Sequence, residues 1–356
     1  MKIKQKKINK LGVLVLLGTF VAAWLWMDLQ SFADSPLQMQ DSSLTYVIEP
    51  GKTLNRIARE LETQGIIGDA RKLVWLARLK GTADHIRVGE YEFQPGTTVE
   101  QMLAMVVRGE VKQYSITLVE GWNFRQMMAV MSSDNVLTHK LVGLNQVQIM
   151  SSLGHPGQHP EGRFFPDTYR FSRGVTDVEI LKQAYDRMKS TLESEWPTRA
   201  AGLPYEDAYQ ALIMASIVEK ETAVPEERMA IAGVFVRRLE KGMRLQTDPT
   251  VIYGLGEDFD GNLKKSHLLD DANPYNTYKH RGLPPTPIAM PGREAIHAAL
   301  HPEPGNALYF VSRGDGSHHF SATLEEHNRA VVKYQLNGRV RSTTSMNADG
   351  STRQEK

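Results

Sequence analysis

A run of 17 uncharged residues, LGVLVLLGTFVAAWLWM from Leu11 to Met27, follows five lysines in the first ten positions. Wound as a helix it measures about 26 Å, which spans a thin hydrocarbon core. The lysines hold the N-terminus in the cytoplasm, and Trp24 and Trp26 suit the opposite interface. Everything beyond Asp28 is therefore expected outside the cytoplasm, as the periplasmic part of a single-pass protein of the cell inner membrane. A cleaved signal peptide is the competing reading, since Ser31, Phe32 and Ala33 have the small-x-small form of a cleavage site. The length of the run and its two tryptophans favour an anchor.

The rest of the chain has an ordinary globular composition, 41% hydrophobic and 23% charged, and its 356 residues suffice for two domains. The net charge is +1 and the first ten residues carry five lysines without an acid, so the remainder is net acidic. That balance argues against nucleic acid as a partner. There is no cysteine, which excludes disulfides, thiolate metal sites, a cysteine nucleophile and a lipidated N-terminal cysteine. Stability must come from packing.

Residues 1–10 read as a basic cytoplasmic tail, 11–27 as the membrane helix, and 28–43, polar and containing Pro36, as a linker. An internal echo follows. PGKTLNRIAREL from Pro50 and PGTTVEQMLAMV from Pro95 share Pro-Gly-x-Thr and then a helical apolar pattern; EGWNFRQMMAVM from Glu120 is a looser third copy. Each comes after a short strand-like run, so the unit is strand, tight turn and helix, with the threonine placed as the N-cap. YVIEPGKTLNRIA resembles the opening of a LysM module, a small fold that binds N-acetylglucosamine polymers, and 44–115 is expected to form a LysM-like subdomain. The stretch 338–356 has almost no hydrophobic residues and reads as a disordered tail.

The most informative helix is expected over about 206–222, where ALIMASIV runs into Glu219, Lys220 and Glu221. Leu212, Ala215, Ser216 and Glu219 share one face at i, i+3, i+4 and i+7. A segment apolar nearly all round is the central buried helix of a domain. A carboxylate held against such packing loses hydration in its charged form, so its pKa rises and it keeps a proton near neutral pH, as a general acid must. A purely structural role, with Glu219 tied to Arg237 or Arg238, fits the same residues. Pro225, Glu226 and Glu227 open a second helix, expected over about 225–241, and make KETAV a tight corner.

ASIVEKET, followed in order by RLQTDPTVIYG, NPYNTY, GLPPTPI and HHFSATLEEHN, resembles the endolytic murein transglycosylase family over roughly residues 45–335. The resemblance implies cleavage of the β-1,4 bond between N-acetylmuramic acid and N-acetylglucosamine within nascent peptidoglycan strands, leaving 1,6-anhydro ends and terminating glycan elongation. It implies Glu219, the first acid of EKET, as the catalytic residue, with no cofactor and no metal. Membrane-bound peptidoglycan synthases are the implied partners. Gln246, Asn276, Thr277 and Tyr278 in the quoted motifs, Ser216 beside Glu219 and Glu161 in PEGRFFPDTY are the expected substrate contacts. Asp248, ahead of Pro249, is expected to be structural. Thr286 and Arg163 depart from the family pattern and bear on loop shape. Because one acid performs both proton transfers in this chemistry, no second carboxylate is expected opposite Glu219, unlike in ordinary glycosidases.

Other readings compete. His297 and His301 stand at i and i+4 in HAALH, a spacing that suits zinc in a metal-dependent hydrolase, but no glutamate lies between them and Pro302 ends the helix. A solvated helix end is the expectation there. A water-using muramidase and a non-catalytic peptidoglycan-binding scaffold are the remaining alternatives. The expected fold class is α+β: a membrane-anchored ectodomain with a small LysM-like subdomain and a mixed α/β catalytic domain over 116–337.

Overall fold

The apolar run winds into helix α1 (Lys10–Asp34) of the computed structural model, which describes residues 10–40 and 42–336. The tail expected at 338–356 and residues 1–9 lie outside the described residues. From Gly12 to Asp34, α1 is long and apolar enough to cross a membrane, and Leu14, Phe20 and Trp24 are exposed along it. It does not end at Met27. Leu29, Phe32 and Ala33, spaced i, i+3 and i+4, turn one face into a protein core, where Ala33 keeps no exposure at all. Asp28 pairs with Lys72 at 2.7 Å. Leu37 N–H donates to Thr97 O and Gln38 N–H to Ile66 O, each at 2.8 Å. Residues 28–40 are therefore not the free tether that their polarity suggests: a sparse apolar stripe docks while the polar side chains around it stay wet.

The chain divides into two compact units, one formed up to Ser115 with 136–138 and 170–175, the other from 116–135, 139–169 and 176 onward. In the first, β1 (Leu44–Ile48) and β2 (Gly89–Phe93) pair antiparallel with Tyr46 opposite Tyr91, and α2 (Leu54–Thr63) and α3 (Ala70–Leu79) lie between them in sequence. Helix α4 (Val99–Arg108) follows. Ile57 and Leu61 of α2, Leu73 of α3, Phe93 of β2 and Leu103 of α4 join the α1 stripe in one core. The echo in sequence is an echo in structure. Gly51, Gly96 and Gly121 occupy the same turn position at φ 81°, 86° and 76°, a conformation that favours glycine. The caps differ: Thr98 and Gln101 exchange side-chain and backbone bonds in a capping box, and Asn123 and Gln126 do the same. Thr53, expected to cap α2, holds the N-cap position without a side-chain bond.

Strand β3 (Tyr114–Thr117) pairs with β4 (Thr168–Phe171). The second unit is mainly helical: α5 (Phe124–Ser133), α6 (Gln146–Ser152), α7 (Asp177–Glu195), α8 (Ala208–Glu221), α9 (Arg228–Glu240), α10 (Asp248–Leu255), α11 (Lys265–Leu269) and α12 (Arg293–Leu300). A hairpin of β5 (Tyr309–Ser312) and β6 (His318–Ser321) leads to α13 (Leu324–Tyr334). Pro225 opens a single 3-10 turn rather than the α-helix itself, which starts at Arg228. Helix α8 is the axis, buried from Ala211 to Val218 and packed against α7, α9 and, most extensively, α12. The fold class is α+β, with its strands confined to three two-stranded sheets among the described residues.

The seating of α1 generates a test. Replacing Phe32 by Ala removes a core ring from the first unit and is expected to cost about 3–5 kcal/mol of its stability. Thermal unfolding of the full chain in detergent reads this, and an unmoved transition would mean that residues 28–34 are a loose tether after all.

Candidate active site

Helix α8 starts at Asp207, whose carboxylate accepts from Gln210 N–H at 2.9 Å, and it runs apolar until its last turn. There it emerges: Glu219 is half-buried, Lys220 exposed and Glu221 half-buried. Glu219 Oε2 accepts the Gly292 N–H at 3.0 Å. Gly292 is the N-cap of α12 and has no side chain to cap it, so a carboxylate from the neighbouring helix occupies the positive end of the α12 dipole. A Cβ at Gly292 would meet the Glu120 carboxylate, so the exposed Glu120 side chain stands directly over this glycine. Two acids thus share this corner. Glu120 belongs to the turn of the third echo, which is laced to the segment ahead of α12 by Gly121 N–H to Met290 O at 2.9 Å and Met290 N–H to Trp122 O at 2.7 Å. Lys220 Nζ donates to Gly121 O at 3.3 Å.

These surroundings act on Glu219 in opposite senses. Burial pushes its pKa above the ordinary carboxylate value and the Glu120 charge adds to that, while the Gly292 N–H, Arg228 and Lys220 pull it down without cancelling the rise. The arginine tie weighed from sequence is not made. Arg237 donates to Ala307 O and Glu303 O, and Arg238 to Leu308 O and Leu245 O. Glu221 is also raised by burial, and it accepts from the Thr247 hydroxyl.

A cleft of about 660 Å³ opens beside this corner, with Gly121, Lys220, Glu161, Tyr253, Tyr275 and Ile288 among its walls. Gly121 joins it to Glu219, whose Cγ lies 3.9 Å from the Cβ position of that glycine. Glu161 is 3% exposed. Its carboxylate accepts from the Phe124 N–H at the start of α5 (3.0 Å) and from the Tyr253 hydroxyl (2.9 Å), yet burial outweighs these bonds and pushes its pKa up to about 7. Tyr253 and Tyr275 meet edge to face at 4.8 Å, and the Tyr275 hydroxyl pairs with Thr286 Oγ1 at 2.9 Å. Thr286 thus supports a cleft wall, and Arg163 stacks its guanidinium over Tyr209 at 4.3 Å.

Of the residues expected to touch substrate, Glu161 lines the cleft. Ser216, Asn276 and Thr277 are buried and are not among its lining residues. Ser216 donates to Ile213 O and accepts from Ile288 N–H, bracing α8 against the cleft wall. The Asn276 amide donates to His267 O and Leu268 O and accepts from Tyr278 N–H. Thr277 Oγ1 accepts from Thr247 N–H and pairs with Thr250. These three are frame rather than wall. Tyr278 donates to Asp248 Oδ1 at 2.7 Å, which gives Asp248 a structural partner. Gln246 is exposed at φ 54°, the one non-glycine with positive φ among the described residues, a strained placement of a polar side chain. Sequence reasoning missed Glu120, Lys220, Tyr253 and Tyr275, although Tyr253 and Tyr275 stand inside the strings QTDPTVIYG and NPYNTY.

Comparison with known proteins adds four findings. The YceG-like family profile matches residues 46–333. An endolytic murein transglycosylase of Bacillus subtilis (strain 168) is 32% identical over 308 residues, covering 81% of this chain and 83% of that protein. One of Streptococcus pneumoniae serotype 2 is 26% identical over 342 residues, 86% of this chain but 61% of the longer relative. The crystal structure of a yceG-like protein from Listeria monocytogenes aligns with a TM-score of 0.52 at 28% identity, over 82% of this chain and 99% of that one.

Glu161 gives a pH signature. With its folded pKa at about 7 against an ordinary 4.5, the folded chain holds a proton that the unfolded chain releases. Its contribution, about 3 kcal/mol, is complete at acid pH below the unfolded value and is lost as pH rises through the folded one. Denaturant midpoints are expected to fall across that window, and Glu161→Gln, which stays uncharged, is expected to flatten the fall. An identical slope in the variant would assign the proton to another group.

Proposed function

The chain belongs to the YceG-like family, and we propose that it cuts peptidoglycan with Glu219 as its one proton-transferring acid. It is a lytic transglycosylase. The observation that carries the assignment of Glu219 is its position at the cleft edge, half-buried and hydrogen-bonded to the Gly292 N–H. The bond cut is the β-1,4 link from N-acetylmuramic acid to N-acetylglucosamine inside a nascent strand. Burial and the Glu120 charge keep the proton on Glu219 until the glycosidic oxygen takes it. The carboxylate left behind is then stabilised by the Gly292 N–H, the α12 N-terminus, Lys220 and Arg228. It next accepts the proton of the muramic C6 hydroxyl as that oxygen closes on C1, so the leaving sugar departs without water entering. The tyrosine pair Tyr253 and Tyr275 offers apolar faces to sugar rings, and Glu161, Gln246 and Tyr278 are polar contacts for the strand.

Helix α1 supports the localisation. Excision after Ala33 would strip Leu29, Phe32 and Ala33 from the core of the first unit, which supports an uncleaved anchor over a signal peptide. The lysines before it support a cytoplasmic N-terminus and a periplasmic enzyme. Such an anchor suits work beside membrane-bound synthases on strands as they emerge. The 44–115 segment, two helices between two antiparallel strands, is the LysM-like part, and 116–337 the catalytic domain; the α2 groove with Asn55, Arg56 and Arg59 is the surface offered to glycan.

Mass spectrometry of digested glycan tests the reaction: 1,6-anhydromuramic ends, one water lighter than reducing ends, are expected. Glu219→Gln is expected to lower turnover by about 100-fold or more with unchanged melting, and full activity in that variant would sink the assignment. Glu120→Gln removes a charge that raises the Glu219 pKa, so the alkaline limb of the pH–rate profile should move to lower pH. An unmoved limb would show that Glu120 does not act on the catalytic proton.

A further inference from the structure

Away from the cleft, the end of α7 and the C-terminal half of α12 gather three metal-ligating side chains. Glu195 closes α7, while His297 and His301 stand one turn apart on α12 with ring centroids 4.3 Å apart. Taking one ligand atom from each, all lie within 4.8 Å of one another, the one such group of three among the described residues. Glu195 Oε2 is 3.1 Å from His297 Nδ1, and Arg293 holds the other carboxylate oxygen at 2.6 Å. His301 Nε2 is 3.3 Å from Thr198 Oγ1.

We propose that Glu195, His297 and His301 form a site for zinc or a similar first-row divalent ion that clips α7 to α12. Two imidazoles and a carboxylate are borderline N and O donors, which suit zinc, copper or nickel and not magnesium or calcium. Bonds of about 2.1 Å at a tetrahedral ion need donors about 3.4 Å apart. The Glu195 to His297 separation already meets that, and the half-exposed His297 and His301 have room to turn inward. Arg293 fixes the carboxylate from outside, leaving Oε2 for the ion, as an outer partner of a metal ligand does. HAALH taken alone lacks a third donor, and Glu195 supplies it from about one hundred residues earlier in the chain. The ion would not touch the cleft. It would brace the helix whose first residue follows Gly292, the donor to Glu219.

Titration of the full chain in detergent, stripped by chelation and given zinc chloride, provides the test. Calorimetry is expected to show one ion per chain with a rise in melting temperature, neither produced by magnesium or calcium chloride. His297→Gln and His301→Gln are each expected to weaken zinc by about tenfold or more, with circular dichroism unchanged. The proposal is overturned by zinc binding that survives intact in the double variant, which would put the ion elsewhere. It is equally overturned by the absence of saturable zinc binding to the unaltered chain.

Discussion

The hydrogen bond from the Gly292 N–H to Glu219 joins the end of one buried helix to the beginning of another, and the candidate active corner hangs on it. Helices α8 and α12 pack too closely to slide independently, so the donor and the carboxylate are held in register by a core that substrate never touches. The bond also tempers the acid. Burial alone would leave Glu219 so reluctant to ionise that giving up a proton would be costly; an aligned backbone donor and a helix dipole make the anion tolerable once it forms. Burial that retains the proton and donors that accept its loss are both what the proposed reaction asks of a group acting first as acid and then as base.

Much of this was legible in the amino-acid string, and the failures have a common physical origin. ALIMASIV announces a buried helix by its lack of any polar face, and that makes the following glutamate conspicuous. The turn glycines and the Pro-Gly echo were legible for the same reason: φ near 80° is a demand on one residue, visible without partners. Asn276, Thr277 and Ser216 prove buried and hydrogen-bonded within the fold, which their motifs do not announce, because an unusual motif says that residues matter, not whether they frame a cleft or line it. Only the three-dimensional arrangement distinguishes the two. Glu120, exposed at a turn, carries no local signal at all; its importance comes from standing over a glycine far along the chain. Glu195 meeting His297 and His301 is the same kind of fact. Residues 28–34 misled in the opposite direction, since averaged polarity hid three apolar side chains at helical spacing.

Helix α1 runs from its exposed apolar stretch into the core of the first unit without a joint. Phe32 follows Met27 by five positions, about 8 Å of rise. A domain on a slack leash explores a hemisphere and meets its targets by chance of reach. With α1 as the proposed anchor, the span would be a mast built into the masonry: the first unit would stand at headgroup height and turn and lean only with the span. Altitude above the bilayer would then be written into the helix as a fixed length, with bilayer thickness felt directly by the first unit.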